Sequence, residues 1–343
     1  MASRIGVPTL ACPFGDSISP HASQVDEHVV EWARRCGLPR DDAEVARLTQ
    51  AQVGRLAART APRASAVALE FLADWQMWLF LFDDQFCDES ATGLDLARLS
   101  EVITAFVGVL DGASGDGRAE PFTAALAGLM RRLAGLATGQ QVFRFVSAVR
   151  GYLLAQFWEA GHRAADRPAG LAEYQAMRRH SGAVPTCMAL TDLADGYELA
   201  AREFCRADVR ALADMAVNVT CWANDILSYP KESERSLRVH SLPAVIAAER
   251  HLPMAEALAD AAALHDDEVT RYLEAEFPVR RSASPELICY LDGLRSWMGG
   301  NYLWSLETGR YNVAAGAAAP AARQTVALCE SSSPERAASS GSG

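Results

Sequence analysis

The chain has 343 residues, half of them hydrophobic, and a formal net charge of −11. That length allows one large domain or two small ones, and the acidic balance argues against a nucleic-acid surface, which needs a basic patch. The apolar run nearest the first acidic cluster, Met77 to Phe82, falls far short of the roughly 20 residues of a membrane span. The N-terminal stretch MASRIGVPTLACPFG lacks the sustained apolar run of a secretory leader, so a soluble, cytoplasmic protein is expected. The eight cysteines are scattered without a CxxC pair, which favours free thiols over zinc sites or disulfides.

Residues 1–20 carry Pro8, Pro13 and Pro20 and read as an irregular arm. From residue 21 to 313 apolar residues recur at three- and four-residue spacing, the helical period. Alternating β-branched runs bounded by tight turns are missing, so no sheet is expected. About ten helices result, divided by breakers near Gly37–Pro39, Ala61–Pro62, Gly112–Gly117, Pro168–Gly170, Gly182–Pro185, Pro253, Pro278 and Gly299–Gly300. Residues 314–343, rich in Ala, Ser, Gly and Pro, read as a disordered tail.

The first chemical signal is an aromatic helix ending in carboxylates, from Trp75 through Trp78, Phe80 and Phe82 to Asp83, Asp84, Phe86, Asp88 and Glu89. At about 100° per residue, Asp84 and Asp88 share a face with Asp83 beside it. Oxygen-only ligands of this kind suit a hard ion such as Mg²⁺; the competing reading is a solvated acidic helix end. Asp41-Asp42 and Asp266-Asp267-Glu268 follow no aromatic wall and read as surface charge.

Next, Arg178 and Arg179 precede the Gly182–Pro185 break. Adjacent arginines diverge by about 100°, so at most one points inward. Asn224, Ser228 and Glu232 then lie at i, i+4 and i+8, an amide, a hydroxyl and a carboxylate along one helical stripe. They suit Mg²⁺ when a diphosphate supplies the remaining oxygens, and Lys231 offers a point charge to the same anion. Pro230, inside this motif, is expected to kink or end the helix. Arg310 and Tyr311 follow the last helix, where a guanidinium fork and a hydroxyl could grip phosphate.

In that order, DDxxxDE, R…SG, NDxxSxxKE and RY resemble the bacterial class I terpene synthases over about residues 10–313. The resemblance includes Pro13-Phe14, Ser19-Pro20-His21 and Trp158-Glu159-Ala160. It implies an all-α fold, a single antiparallel helical barrel around an apolar cavity, with three Mg²⁺ ions bound beside the substrate diphosphate. It makes Asp83 the chief ligand of the first motif and Asn224, Ser228 and Glu232 the second metal triad. Arg178 falls at the diphosphate-sensor position, 46 residues before Asn224. Ser181 and Gly182 fall at the linker and effector positions, and Lys231, Arg310 and Tyr311 at further diphosphate contacts. The first motif is stretched, with three residues between Asp84 and Asp88, so either is a candidate supporting carboxylate.

The activity implied is ionisation of an isoprenyl diphosphate, farnesyl diphosphate being expected and geranyl or geranylgeranyl diphosphate the alternatives, followed by cyclisation to a hydrocarbon or alcohol. Such a cation must be kept from water and is stabilised by aromatic faces. Candidate liners are Trp75, Trp78, Phe82, Phe86, Phe157, Trp158 and Trp304, each with core packing as the competing reading. A chain-elongating prenyltransferase would carry a second DDxxD where NDILSYPKE stands. A non-catalytic helical scaffold leaves the four motifs unexplained. No nucleic acid or membrane partner is expected, and the chain is read as a monomer or homodimer.

Overall fold

The computed structural model describes residues 6–87, 95–113, 120–165, 167–235 and 240–311. Asp88 and the tail 314–343 therefore lie outside the described residues. Fifteen α-helices occur among them: α1 (Ala22–Arg35), α2 (Asp42–Ala51), α3 (Val53–Thr60), α4 (Ala66–Phe82), α5 (Leu96–Leu110), α6 (Pro121–Leu136), α7 (Gly139–Ala165), α8 (Leu171–Ser181), α9 (Val184–Met188), α10 (Thr191–Ala194), α11 (Ala201–Phe204), α12 (Ala207–Arg235), α13 (Leu242–Arg250), α14 (Met254–Arg281) and α15 (Pro285–Glu307). A π-helical turn, Asp83–Cys87, extends α4. No strand appears among the described residues, and no helix among them is long and apolar enough to cross a membrane.

Local sequence sets many of the boundaries. Asp41, Ser65, Asp95 and Ser284 accept backbone N–H groups of the first turns of α2, α4, α5 and α15, satisfying donors that a helix start leaves orphaned. Pro121 and Pro285 open α6 and α15, where a missing N–H costs nothing. The arm before α1 is tied down by Ala11 N–H donating to Asp266 at 2.8 Å and Ser19 N–H donating to the Ala58 carbonyl at 3.0 Å.

Thirteen of the seventeen residues of α4 are buried, which makes it a central helix rather than an amphipathic surface one. It packs against α1, α3 and α6, while α12 packs against α14, α15, α8 and α13. The two helices that carry the acidic cluster and the Asn-Ser-Glu stripe thus belong to different walls of the bundle.

Along one side of α4, Trp75 stacks on Trp78 at 5.3 Å, Trp78 on Phe82 at 5.3 Å and Phe82 on Phe86 at 5.5 Å. Phe145, Phe106 and Phe122 meet this column edge-on, the geometry aromatic quadrupoles favour. The indole N–H of Trp75 donates to Thr186 Oγ1 at 2.9 Å and that of Trp78 to the Phe122 carbonyl at 3.1 Å. Trp75, Trp78, Phe82 and Phe86, candidate liners by sequence, meet rings from α5, α6 and α7, and the Trp75 indole is bonded to α9. Trp158 packs with His162, Tyr174 and His240 and donates to Glu173 at 2.8 Å, and Phe157 is half-buried against the core.

Pro230 does not end α12, which continues to Arg235. Two expected breaks do not occur: Pro278 lies inside α14, and α15 runs unbroken through Gly299–Gly300. These glycines serve close approach. A Cβ at Gly299 would stand 2.7 Å from the Gly15 carbonyl oxygen, and one at Gly300 would stand 2.7 Å from the Arg59 backbone carbon. Glu268, expected at the surface, is buried and accepts from Asn218 at 2.7 Å and Arg271 at 2.8 Å, which joins α14 to α12. A charge run reports helix period, and its third residue here falls on the packed face.

On the far side of α4, the buried carboxylate of Asp74 pairs with His28 of α1 and Arg132 of α6. The hydrogen bond to Asp74 raises the His28 pKa against the opposing effect of burial. A raised histidine stabilises the fold fully below its ordinary value of about 6.5 and loses that contribution as pH climbs through the folded value. The melting-temperature advantage of the parent protein over His28→Gln is therefore expected to shrink from pH 6 upward; a constant gap would contradict this.

Gly300→Ala is expected to destabilise by about 1–3 kcal/mol through backbone overpacking. Gly135→Ala, on the exposed face of α6 with nothing near its Cβ position, is expected to stabilise by about 0.5–1 kcal/mol. Thermal or urea unfolding of both variants checks the opposite signs.

Candidate active site

The acidic cluster lies in the π turn Asp83–Cys87. A π turn closes i→i+5 bonds and takes up an extra residue, so α-helical phasing does not run through Asp83–Cys87. Arg310 grips Asp84 with both terminal nitrogens, at 3.0 and 2.7 Å. Its guanidinium also lies 4.7 Å from the centre of the Phe80 ring, a cation–π distance. Burial opposes the charge on Arg310, but Asp84 beside it outweighs burial and keeps the group protonated far above physiological pH.

The next residue reaches the other wall. Asn224 Nδ2 of α12 donates to the Tyr311 hydroxyl at 2.7 Å, and Lys231 Nζ lies 5.9 Å from the centre of the Tyr311 ring. Burial raises the Tyr311 pKa, so the phenol stays neutral. The strap carrying both residues is anchored by Thr308 Oγ1 donating to the Ala51 carbonyl and Gly309 N–H donating to the Gln50 carbonyl. The Trp304 indole N–H donates to the Ala51 and Gln52 carbonyls, and its ring touches Phe80 and Tyr311 at 5.6 Å each. Trp304, one of the expected aromatic liners, is thus in contact with Phe80 and Tyr311.

Arg178, in the last turn of α8, donates to Asp225 from Nε at 3.0 Å and from Nη2 at 2.7 Å, and Nη2 reaches Asn224 Oδ1 at 3.4 Å. The other Asp225 oxygen accepts from Tyr174 at 2.6 Å and from Leu242 N–H at 3.1 Å. Burial disfavours the Arg178 charge, and Asp225 more than offsets it. Arg179 diverges to Asp214 at 3.2 Å, so the pair splits between site and surface. Glu159 is buried on α7; burial would raise its pKa, but Arg163, Arg178 and His240 together lower it. Asp225, Tyr174 and Glu159 were not singled out by sequence. Asp225 stood inside the second motif and Glu159 inside the Trp-Glu-Ala stretch, but their partners lie far away along the chain.

Asn224, Ser228 and Glu232 all lie within α12, which continues through Pro230. Ser228 is fully buried, and its hydroxyl meets no hydrogen-bond partner in the protein. A buried hydroxyl of this kind calls for a ligand oxygen or cation. Among the described residues no three His, Cys, Asp or Glu side chains converge as a metal group. The available donors are the amide of Asn224, the hydroxyl of Ser228, and carboxylates from both walls. Such hard oxygen donors fit a divalent cation whose shell an anion completes.

Ser181 and Gly182 end α8 directly beneath Arg178. A Cβ at Gly182 would stand 2.5 Å from Cys221 Sγ, 3.1 Å from the Arg178 carbonyl oxygen and 3.4 Å from Arg178 Nη1. The Cys221 thiol in turn donates to that carbonyl at 3.8 Å. The Ser181 carbonyl faces the Gln156 amide at 3.5 Å.

Residues 74–271 match the family model described as terpene synthase family 2, C-terminal metal binding. A (+)-T-muurolol synthase ((2E,6E)-farnesyl diphosphate cyclizing) from Roseiflexus castenholzii is 39% identical over 305 residues, covering 88% of this chain and 93% of that protein. A 4-epi-cubebol synthase ((2E,6E)-farnesyl diphosphate cyclizing) from Streptosporangium roseum is 33% identical, covering 89% and 92%. Among solved structures, the SVS_A2 protein from ancestral sequence reconstruction superimposes with a TM-score of 0.83 at 32% identity, covering 88% of this chain and 90% of that one. The 2-methylisoborneol synthase of Streptomyces coelicolor, solved with Mg²⁺ and 2-fluoroneryl diphosphate, shares the fold with a TM-score of 0.81 at 23% identity, covering 89% and 98%.

The chain belongs to the terpene synthase family and has the all-α class I terpenoid synthase fold. It is an enzyme of that class, a terpene synthase.

Gly182→Ala is expected to cost about 1–3 kcal/mol through overpacking against Cys221. Cys221→Ala in the same chain is expected to restore part of the loss, with the 3.1 Å contact to Arg178 leaving a remainder. A double variant no more stable than Gly182→Ala would show that the thiol does not set this packing.

Proposed function

We propose that this chain is a sesquiterpene synthase that ionises farnesyl diphosphate with the help of Mg²⁺, three ions in number, and cyclises the resulting cation. The observation that carries the reading is the Arg310–Tyr311 strap. It joins Asp84 on one wall to Asn224 on the other, so two clusters of oxygen donors and a phosphate-gripping fork converge. Arg178 approaches the same Asn224 from α8. The relatives named for cyclising farnesyl diphosphate support the choice of substrate.

In this reading Asp83, Asp84 and Asp88 hold metal from the first wall, and Asn224, Ser228 and Glu232 from the second. Bound Mg²⁺ supplies Lewis-acid stabilisation of the departing diphosphate. Arg178, Lys231, Arg310 and Tyr311 orient the diphosphate oxygens and stabilise the charge that develops on them. Without the anion, the guanidinium charges of Arg310 and Arg178 are balanced by Asp84 and Asp225. A diphosphate between the walls therefore meets preformed cations despite the net negative charge of the chain. The end of α8 at Ser181 and Gly182 follows Arg178, which couples anion grip to the backbone of the α8–α9 break.

Purified protein is incubated with geranyl, farnesyl and geranylgeranyl diphosphate, with Mg²⁺ or EDTA, and products are read by gas chromatography–mass spectrometry. A cyclic C15 product from farnesyl diphosphate, absent with EDTA, is the expected outcome. Asn224→Ala and Arg310→Ala are each expected to lower kcat/KM by about 100-fold. Folded protein that turns over none of the three substrates would refute the reading.

A further inference from the structure

Gln76 stands apart from every other polar residue of α4. It is 3% exposed, and neither its amide oxygen nor its amide nitrogen meets a hydrogen-bond partner in the protein. The neighbouring buried polar side chains each have at least one partner: Asp74 pairs with His28 and Arg132, and the Trp75 and Trp78 indoles donate to Thr186 and Phe122. An amide offers two donors and two acceptor positions. Leaving such groups buried and unmet is destabilising.

The helix decides where this amide looks. Gln76, Phe80 and Asp83 follow one another at four- and three-residue spacing and share a face. Phe80 on that face touches Trp304 and lies under the Arg310 guanidinium. The same face is therefore turned toward Trp304 and Arg310 of the site, away from the Trp75–Trp78–Phe82 column. Gln76 sits one turn below Phe80, about 6 Å further from the carboxylate end along the helix axis. Its neighbours on this face are Leu69, Leu72, Ala73 and Leu79, all apolar and buried.

An isoprenyl chain is hydrocarbon and can satisfy none of the amide's hydrogen-bonding functions. Water can accept from Nε2 and donate to Oε1, and buried polar groups with no protein partner are the places where ordered water is held. Water held by this amide stands about 10 Å along the helix axis from Asp83, level with apolar residues of α4 and not with its carboxylate end.

We infer that Gln76 is a water-positioning residue that supplies the hydroxyl of the product, so that the enzyme makes a terpene alcohol. The inference rests on the terpene synthase reading above and extends it to the terminating step. The water oxygen forms a C–O bond to the cationic carbon of the last carbocation with one of its lone pairs. The oxonium so formed loses one proton, for which the diphosphate released on ionisation is the final acceptor. One water is consumed and nothing is oxidised or reduced. Without a held water, the cation ends by loss of a neighbouring proton, and a hydrocarbon results.

The test runs the full chain with Mg²⁺ and all three diphosphates in H₂¹⁸O, and the products of whichever substrate turns over are analysed. The parent protein is expected to give a cyclic alcohol two mass units heavier than in ordinary water. Gln76→Leu and Gln76→Met, which keep the volume and remove the amide, are expected to lower the alcohol-to-hydrocarbon ratio at least tenfold among the products they make. A ratio is independent of how much active protein each preparation contains, so a purely structural role would not move it; two variants guard against one that fails to fold. A parent product lacking oxygen, or variants that keep the parent ratio, overturns the role of Gln76 and leaves the terpene synthase reading standing. Absence of any product from the folded parent protein overturns both.

Discussion

Opposite charges held at close range across the mouth of the bundle are the constraint on which the rest of this structure depends. Arg310 binds Asp84 through two nitrogens, and Arg178 binds Asp225 through two more. Each carboxylate belongs to a different wall, and each guanidinium comes from a third or fourth element. Asp225 accepts four hydrogen bonds, from Arg178 twice, Tyr174 and Leu242, so this buried carboxylate is saturated. Breaking a buried pair by removing one partner leaves an uncompensated charge. The walls are thereby held in register, and the cations are kept charged and aimed before any anion arrives.

α4 shows how one helix carries two kinds of work. Its outer side is a column of stacked aromatics whose polar atoms are all engaged. Its inner side places an aromatic ring under a guanidinium, a carboxylate at the rim and an unpaired amide below. Stiffness of the first side supports precision on the second, because rigid packing behind a site limits the geometries its side chains can adopt. The glycines of α15 and of the α8–α9 break act similarly. They let backbones and a thiol approach to distances that any side chain would forbid.

The helical class and the family were legible in the sequence, because helical period and motif order are properties of the chain alone. The stripe of Asn224 and Ser228 was legible for the same reason, since spacings of four along a helix fix a shared face. The roles of the aromatics were not. Trp75 and Trp304 look alike in sequence, yet one is spent between α4 and α9 and the other touches Tyr311. Glu268 and Pro278 misled as well. A charge can be buried when a partner on another helix meets it, and a helix continues through a proline whose neighbours hold it in place.

By itself, then, the sequence determined which residue types recur at which spacings: an all-α chain with carboxylates after an aromatic helix, an oxygen stripe on another, and an arginine–tyrosine pair after the last. Only the tertiary structure decided that this pair closes the gap between the two clusters. It also decided that Asp225 and Tyr174 hold Arg178, and that Gln76 faces inward without a partner. Contacts between residues tens to hundreds of positions apart depend on how helices pack, and neither period nor local propensity records that packing.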